Sequence, residues 1–324
     1  MRLCVIGAGA IGGYLAARLT AAGHRVSLLA RGATLDALRT DGLTLCQGGE
    51  TLTVHPNCSD DAGRIGVVDA VVVAVKGPAL VSVGEVIGPL LGPATPVVFA
   101  MNGIPWWYDH ARPDLPDSAS RLLDPDGVLA RAIGAHRAIG CVVDCPVRVE
   151  RPGVVVCNSP DRGRFTLGEP DGSRSQRLVE LSAVLESASM DVPPVDDIRE
   201  AIWAKLIINL SRSPLAVLTG ASERALAEDA GVSEIAVAMV DEAVAVAAVH
   251  GFRLEVDPRV MFAPEFRFHH RPSMLQDWDA GRPMEIDSIG MAVARFARAA
   301  EIATPVIDRV LALLALKARA AGLY

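Results

Sequence analysis

Six residues near the start of the chain, Gly7-Ala8-Gly9-Ala10-Ile11-Gly12, leave few choices of fold. They follow a short apolar run, Leu3 to Ile6, and open a helical period from Ala10 to Ala22 that Gly23 ends. In that strand, turn and helix setting, G-x-G-x-x-G is the phosphate-binding turn of a dinucleotide-binding βαβ unit. Gly7 permits the tight turn, Gly9 lets the backbone approach a pyrophosphate, and Gly12 allows close packing of helix on strand. The helix N-terminus is left aimed at the phosphates. Gly7, Ala8, Gly9, Ala10, Ile11 and Gly12 are therefore candidate cofactor contacts.

Further β-branched runs, Arg25 to Leu29, Ala70 to Val75 and Pro96 to Met101, alternate with helical text, which is the pattern of a doubly wound parallel sheet. Between Ala138 and Gly168 the runs Ile139 to Val143, Val154 to Cys157 and Phe165 to Leu167 read as added antiparallel strands at the end of that sheet. They are separated by Pro152-Gly153 and Asp161-Arg162-Gly163. Beyond Pro193-Pro194 helical periods take over: Asp197 to Arg212, Val232 to His250, Met284 to Ala300 and Val306 to Ala321. The expected fold is an α/β Rossmann domain over residues 1–194 followed by an all-α domain over residues 195–324.

A chain of 324 residues exceeds the size at which one core stops growing, which agrees with two domains. The net charge of -7 argues against nucleic acid as a partner, because the footprint for a phosphate backbone is basic. No apolar run stands out as a membrane span, and the N-terminal apolar run belongs to the glycine motif rather than to a signal sequence, so a cytoplasmic location is expected. The six cysteines lack C-x-x-C spacing and read as small buried hydrophobes, with neither metal nor disulfide expected.

Where an NAD enzyme places a carboxylate for the ribose hydroxyls, the second strand ends in Ala30-Arg31-Gly32. A guanidinium there suits a 2′-phosphate, so NADPH is the expected cofactor. Two more strand ends carry polar groups, Lys76 and Asn102-Gly103, at the edge where open α/β sheets bind ligands. In the helical part, Lys205 and Asn209 project about 40° apart on one face of an otherwise apolar helix, and Ser213 continues the stripe. A lysine so placed is expected to face an interdomain cleft and to serve as proton donor. Glu285, after Gly281-Arg282-Pro283-Met284, falls near a helix N-terminus, where dipole stabilisation and a catalytic role explain it equally well.

Taken in order, GAGAIGG, Arg31, Val75-Lys76, Met101-Asn102-Gly103, Lys205-x-x-x-Asn209 and Ser273-Met274-Leu275-Gln276-Asp277 followed by Met284-Glu285-Ile286-Asp287 resemble the ketopantoate reductase family over essentially the whole chain. The resemblance implies NADPH-dependent reduction of ketopantoate, a small 2-oxo acid, to (R)-pantoate on the way to pantothenate and coenzyme A. It implies that Lys205 donates the proton, that Asn209 and Ser273 hold the substrate, with Ser213 beside them, that Asn102 bridges substrate and cofactor, and that Lys76 and Glu285 contact the cofactor. A homodimer is an assembly such a chain could form. The sequence departs from the family where Ser213 replaces a usual second Asn, where His269-His270 precede Ser273, and where Pro105-Trp106-Trp107-Tyr108 adds aromatic bulk after Asn102. These departures leave another branched or bulkier 2-oxo acid as the alternative substrate. A non-catalytic dinucleotide-binding regulator is the alternative from another class, and Lys205 with Glu285 disfavours it.

Overall fold

Eleven strands run through the chain: β1 (Arg2–Ile6), β2 (Arg25–Leu29), β3 (Leu43–Gln47), β4 (Glu50–Val54), β5 (Asn57–Ser59), β6 (Ala70–Val73), β7 (Val97–Ala100), β8 (Ala138–Asp144), β9 (Val147–Arg151), β10 (Val154–Cys157) and β11 (Arg164–Gly168). The computed structural model describes residues 1–115, 119–159, 163–263 and 271–324. Contacts divide the chain into two units, Met1–Met101 with Asp126–Ile198, and Asn102–Pro125 with Arg199–Tyr324.

The first unit holds a seven-stranded sheet in the order β11-β8-β7-β6-β1-β2-β5. All its pairs are parallel except β8 with β11. Strands β6 and β7 are buried along their whole length, as strands covered on both faces must be, and they read as unbroken apolar runs for that reason. From β1 the sheet grows outward through β2 on one side and through β6 on the other. The order therefore reverses at β1 and β6, and in open α/β sheets ligands bind at the carboxyl ends beside such a reversal.

Two expectations for this unit need correction. Strand β8 pairs parallel with β7, so of the three added runs only β11 is an antiparallel addition to the main sheet. Strand β10 leaves that sheet for a second one, ordered β4-β3-β10-β9, where it runs parallel to β3 and antiparallel to β9. The β3–β4 hairpin turns on Gly48 and Gly49, both at positive φ, which is what a two-residue hairpin loop requires.

The second unit is built on the helices Ile198–Thr219, Ala230–Val249, Ala292–Ala299 and Pro305–Ala320. Leu206, Leu210, Met239, Val240, Ala243 and Leu314 close its core. Both carboxylate oxygens of Glu242 accept the first backbone N–H groups of the last helix, from Val306 and Ile307, each at 2.9 Å. That satisfies donors a helix start leaves open. At 22 residues and a mean hydropathy of 1.2, Ile198–Thr219 is long and apolar enough to cross a membrane, contrary to the sequence expectation. The protein itself buries 61% of its apolar window, the mark of a core helix.

The segment after β7 also departs from the expected boundary at residue 194, because Asn102–Pro125 packs with the helices. The Ile104 N–H donates to the Ser288 carbonyl at 2.8 Å. The Trp203 indole donates to the Tyr108 hydroxyl at 2.7 Å, and the buried Arg199 guanidinium donates to the carbonyls of Tyr108 and His110. These bonds bind the segment to the helix that carries Lys205.

Candidate active site

The candidate residues fall into two groups, one in each unit. In the first unit the glycine loop sits where β1 ends. The Gly7 N–H donates to the Leu29 carbonyl at 3.1 Å, and Ala74 N–H donates to Ile6, so the loop lies between the ends of β2 and β6. Gly7 adopts φ 100°, and a Cβ there would stand 2.8 Å from the Val75 side chain. At Gly12 a Cβ would fall 1.8 Å from the Gly7 carbonyl, so only glycine lets helix α1 (Ala10–Ala21) close on the loop.

Gly9 is different. A Cβ there would meet no protein atom within 4 Å, and its φ of -77° suits any residue. Nothing inside the protein demands glycine at this position, so the reason for it lies in what approaches from outside. Gly9 also caps α1 without any side-chain cap, which leaves the first N–H groups of that helix to a ligand. This cradle fits a pyrophosphate.

Arg31 lies exposed at the N-cap of helix α2 (Gly32–Asp41), two residues past β2, and forms no ion pair among the described residues. Lys76 follows β6 and Val75 and is exposed. Thus Gly7 to Gly12, Arg31 and Lys76 share one edge of the sheet.

In the second unit Lys205, Asn209 and Ser213 lie along the helix Ile198–Thr219, running from half-buried at Lys205 to buried at Ser213. The flanking Ile202, Leu206, Ile207 and Leu210 are buried, so the stripe is a polar seam in an apolar helix. Asn209 and Ser213 make no side-chain hydrogen bond among the described residues, and so keep donors and acceptors for a ligand.

Asn102 and Glu285, far apart in sequence, are drawn together by the backbone. Gly103 has φ 91°, and a Cβ there would meet Ser288 at 2.9 Å, one turn beyond Glu285. Glu285 itself immediately precedes a helical segment that begins as a π-turn, Asp287–Met291, a form of helix often found at functional sites.

Ser273 belongs to the second unit as well. It is exposed as the first residue of the helix Ser273–Asp279, and the neighbouring Arg271 donates to the Gly220 carbonyl at 3.3 Å. That ties its segment to the far end of the Lys205 helix, beyond Ser213. Asp277, in the same motif, is a structural anion: buried, it accepts from Arg282 at 3.0 Å and so fixes the turn leading to Glu285. His269 and His270 lie outside the described residues.

The aromatic run after Asn102 belongs to the core instead of a pocket. Trp106, Trp107 and Tyr108 are buried, and the Arg199 guanidinium lies 5.9 Å and 5.4 Å from the Trp107 and Tyr108 ring centres. Sequence reasoning missed this clamp. Its signal was an arginine in the first turn of an apolar helix, six residues ahead of Lys205. All six cysteines are free thiols, and burial pushes Cys4 up to about 12 and Cys141 and Cys145 higher still, so these three stay protonated.

The ketopantoate reductase PanE/ApbA family profile matches residues 3–172, and its C-terminal profile matches residues 197–318. A 2-dehydropantoate 2-reductase of Mesorhizobium japonicum is 41% identical over the full length of both chains. A crystal structure of a proposed ketopantoate reductase from Ralstonia solanacearum superposes with a TM-score of 0.91 at 40% identity, covering 100% of this chain and 99% of that one. The 2-dehydropantoate 2-reductase of Geobacter metallireducens superposes with a TM-score of 0.84 at 26% identity, covering 98% and 100%.

Proposed function

Because the chain belongs to the ketopantoate reductase family, we propose that it reduces 2-dehydropantoate to (R)-pantoate with NADPH, Lys205 giving the proton. The polar seam Lys205, Asn209 and Ser213 in an apolar helix carries this reading, since a non-catalytic binding protein needs no proton donor there.

Gly7 to Gly12 and the open start of α1 would hold the pyrophosphate, Arg31 the 2′-phosphate, and Lys76, Asn102 and Glu285 the rest of the cofactor. The bound cofactor supplies a hydride to the 2-oxo carbon. Lys205 donates its proton to the carbonyl oxygen as that oxygen gains charge, so that the product leaves as an alcohol. Asn209 and Ser273 hold the substrate's hydroxyl and carboxylate, and Asn102 fixes the substrate against the cofactor. Fixing both reactants in this way replaces a costly encounter with a positioned one. The net charge of -7 supports the accompanying view that the enzyme works on a small molecule rather than on nucleic acid.

The test is NADPH oxidation against a panel of 2-oxo acids. 2-Dehydropantoate should give a higher kcat/KM than pyruvate or 2-oxoisovalerate. A second reading rests on Ser213, which is buried and shorter than the second Asn usual in the family, leaving room for another branched or bulkier 2-oxo acid. Equal or lower kcat/KM for 2-dehydropantoate would favour it.

A further inference from the structure

Parallel strands β1 and β2 begin side by side, and their register sets Arg2 opposite Arg25. Arg2 and Arg25 thus stand on neighbouring strands about 4.8 Å apart. One strand further out, Ser27 of β2 pairs with Asn57 of β5, and His55 lies in the loop two residues before it. Like charges placed opposite one another destabilise a sheet.

The carboxylate beside this pair, Asp69, is committed to Arg2. Asp69 accepts from the Arg2 backbone N–H at 2.7 Å and from its guanidinium at 3.1 Å and 2.7 Å. Arg25 has no side-chain hydrogen bond or ion pair among the described residues. Burial holds the neighbouring His24 below the ordinary histidine range, and its Nε2 meets the Ser187 hydroxyl at 2.9 Å.

These groups open onto a hollow of about 360 Å³ that Arg2, His24, Arg25, Ser27, His55 and Asn57 line above an apolar floor of Val26 and Val68. In a chain of net charge -7, its lining gathers two guanidiniums and two imidazoles and holds no carboxylate among the described residues. It lies at the amino edge of the sheet, the length of β1 or about 16 Å from the glycine loop.

We propose that this hollow is a second anion site, which takes a small phosphate-type polyanion on Arg25 and His55, distinct from the cofactor cradle. Guanidinium and imidazole N–H donors match phosphate oxygens, and a bound anion relieves the repulsion between Arg2 and Arg25. Ser27 and Asn57 supply neutral hydrogen bonds from the same face.

The test uses the protein saturated with NADP, so that the cradle is filled, and follows the histidine ring resonances by NMR as inorganic pyrophosphate is added. His24 and His55 should shift saturably, and the His24 titration should move upward, because a nearby bound anion favours the protonated ring. R25Q should weaken pyrophosphate by about tenfold or more, the loss of one charge-assisted hydrogen bond, and H55Q should weaken it independently. NADPH oxidation without pyrophosphate should be unchanged in both variants, which reports an intact fold. Shifts no larger than those in sodium chloride of equal ionic strength, or wild-type affinity in R25Q and H55Q, would overturn the proposal.

Discussion

Lys205 and Arg31 stand for the two halves of the chemistry, and each makes a claim that one substitution can isolate. If Lys205 delivers the proton, Lys205→Ala should lower kcat by about 10² to 10⁴, the usual span for general acid catalysis. NADPH affinity should change little, because the residue belongs to the unit without the glycine loop. A variant that binds NADPH and turns over within about threefold of wild type, a barrier change of about 0.6 kcal/mol, would remove Lys205 from the mechanism. Arg31, exposed and without an ion pair among the described residues, has its guanidinium available for a 2′-phosphate. Arg31→Ala should weaken NADPH by about 1.5 to 3 kcal/mol and leave NADH nearly untouched, as a binding titration with both cofactors would read. Equal losses would refute that contact.

Among the elements, the glycine loop separates fold from binding within four residues. Gly12→Ala drives a Cβ to 1.8 Å from the Gly7 carbonyl, so helix α1 must move and the protein should lose several degrees of Tm. Gly9→Ala meets nothing within 4 Å, so Tm should hold while NADPH binding falls, because the added methyl occupies space a pyrophosphate would need. Thermal melts with and without cofactor check both, and a Gly9→Ala protein with wild-type affinity would mean that the phosphates lie elsewhere. This loop was legible in the sequence because everything that defines it is local: a strand, three glycines and a helix in one run. The Lys205 seam was legible for the same reason, being written at helical spacing. The second sheet was not, because β3 finds its partner β10 only after more than a hundred intervening residues, although Gly48-Gly49 between two alternating runs did carry the hairpin signal. The allegiance of Asn102–Pro125 was hidden too. It depends on Ser288, Arg199 and Trp203, and no spacing reveals partners so far away.

For the molecule as a whole, acid stability should hinge on one buried imidazole. His250 packs 4.5 Å from the Phe296 ring centre and 6.0 Å from that of Trp203, and its Nδ1 has no hydrogen-bond partner among the described residues. Burial first, then the Arg112 charge, lowers its pKa to about 4, against the opposing pull of Asp114. The unfolded chain, with an ordinary histidine near 6.5, takes up its proton before the folded one does. Stability from this residue is therefore complete above about pH 6.5 and is lost as pH falls toward about 4, by about 3 kcal/mol in all. That is a large share of the roughly 5 to 15 kcal/mol by which proteins are stable. His250→Phe keeps an aromatic ring among Tyr108, Trp203 and Phe296 and removes the proton site. Any misfit of the new ring shifts stability by a constant, whereas the slope with pH counts protons alone. Urea denaturation at about pH 7.5 and about pH 4.5 should thus show His250→Phe gaining about 2 to 3 kcal/mol on wild type as the pH falls. The isoelectric point near 5.5 lies in the same window, but carboxylate protonation and lower solubility act on both proteins alike and cancel in the difference. Parallel pH dependence in the two proteins would mean that His250 is protonated in the fold and that another group sets the acid limit.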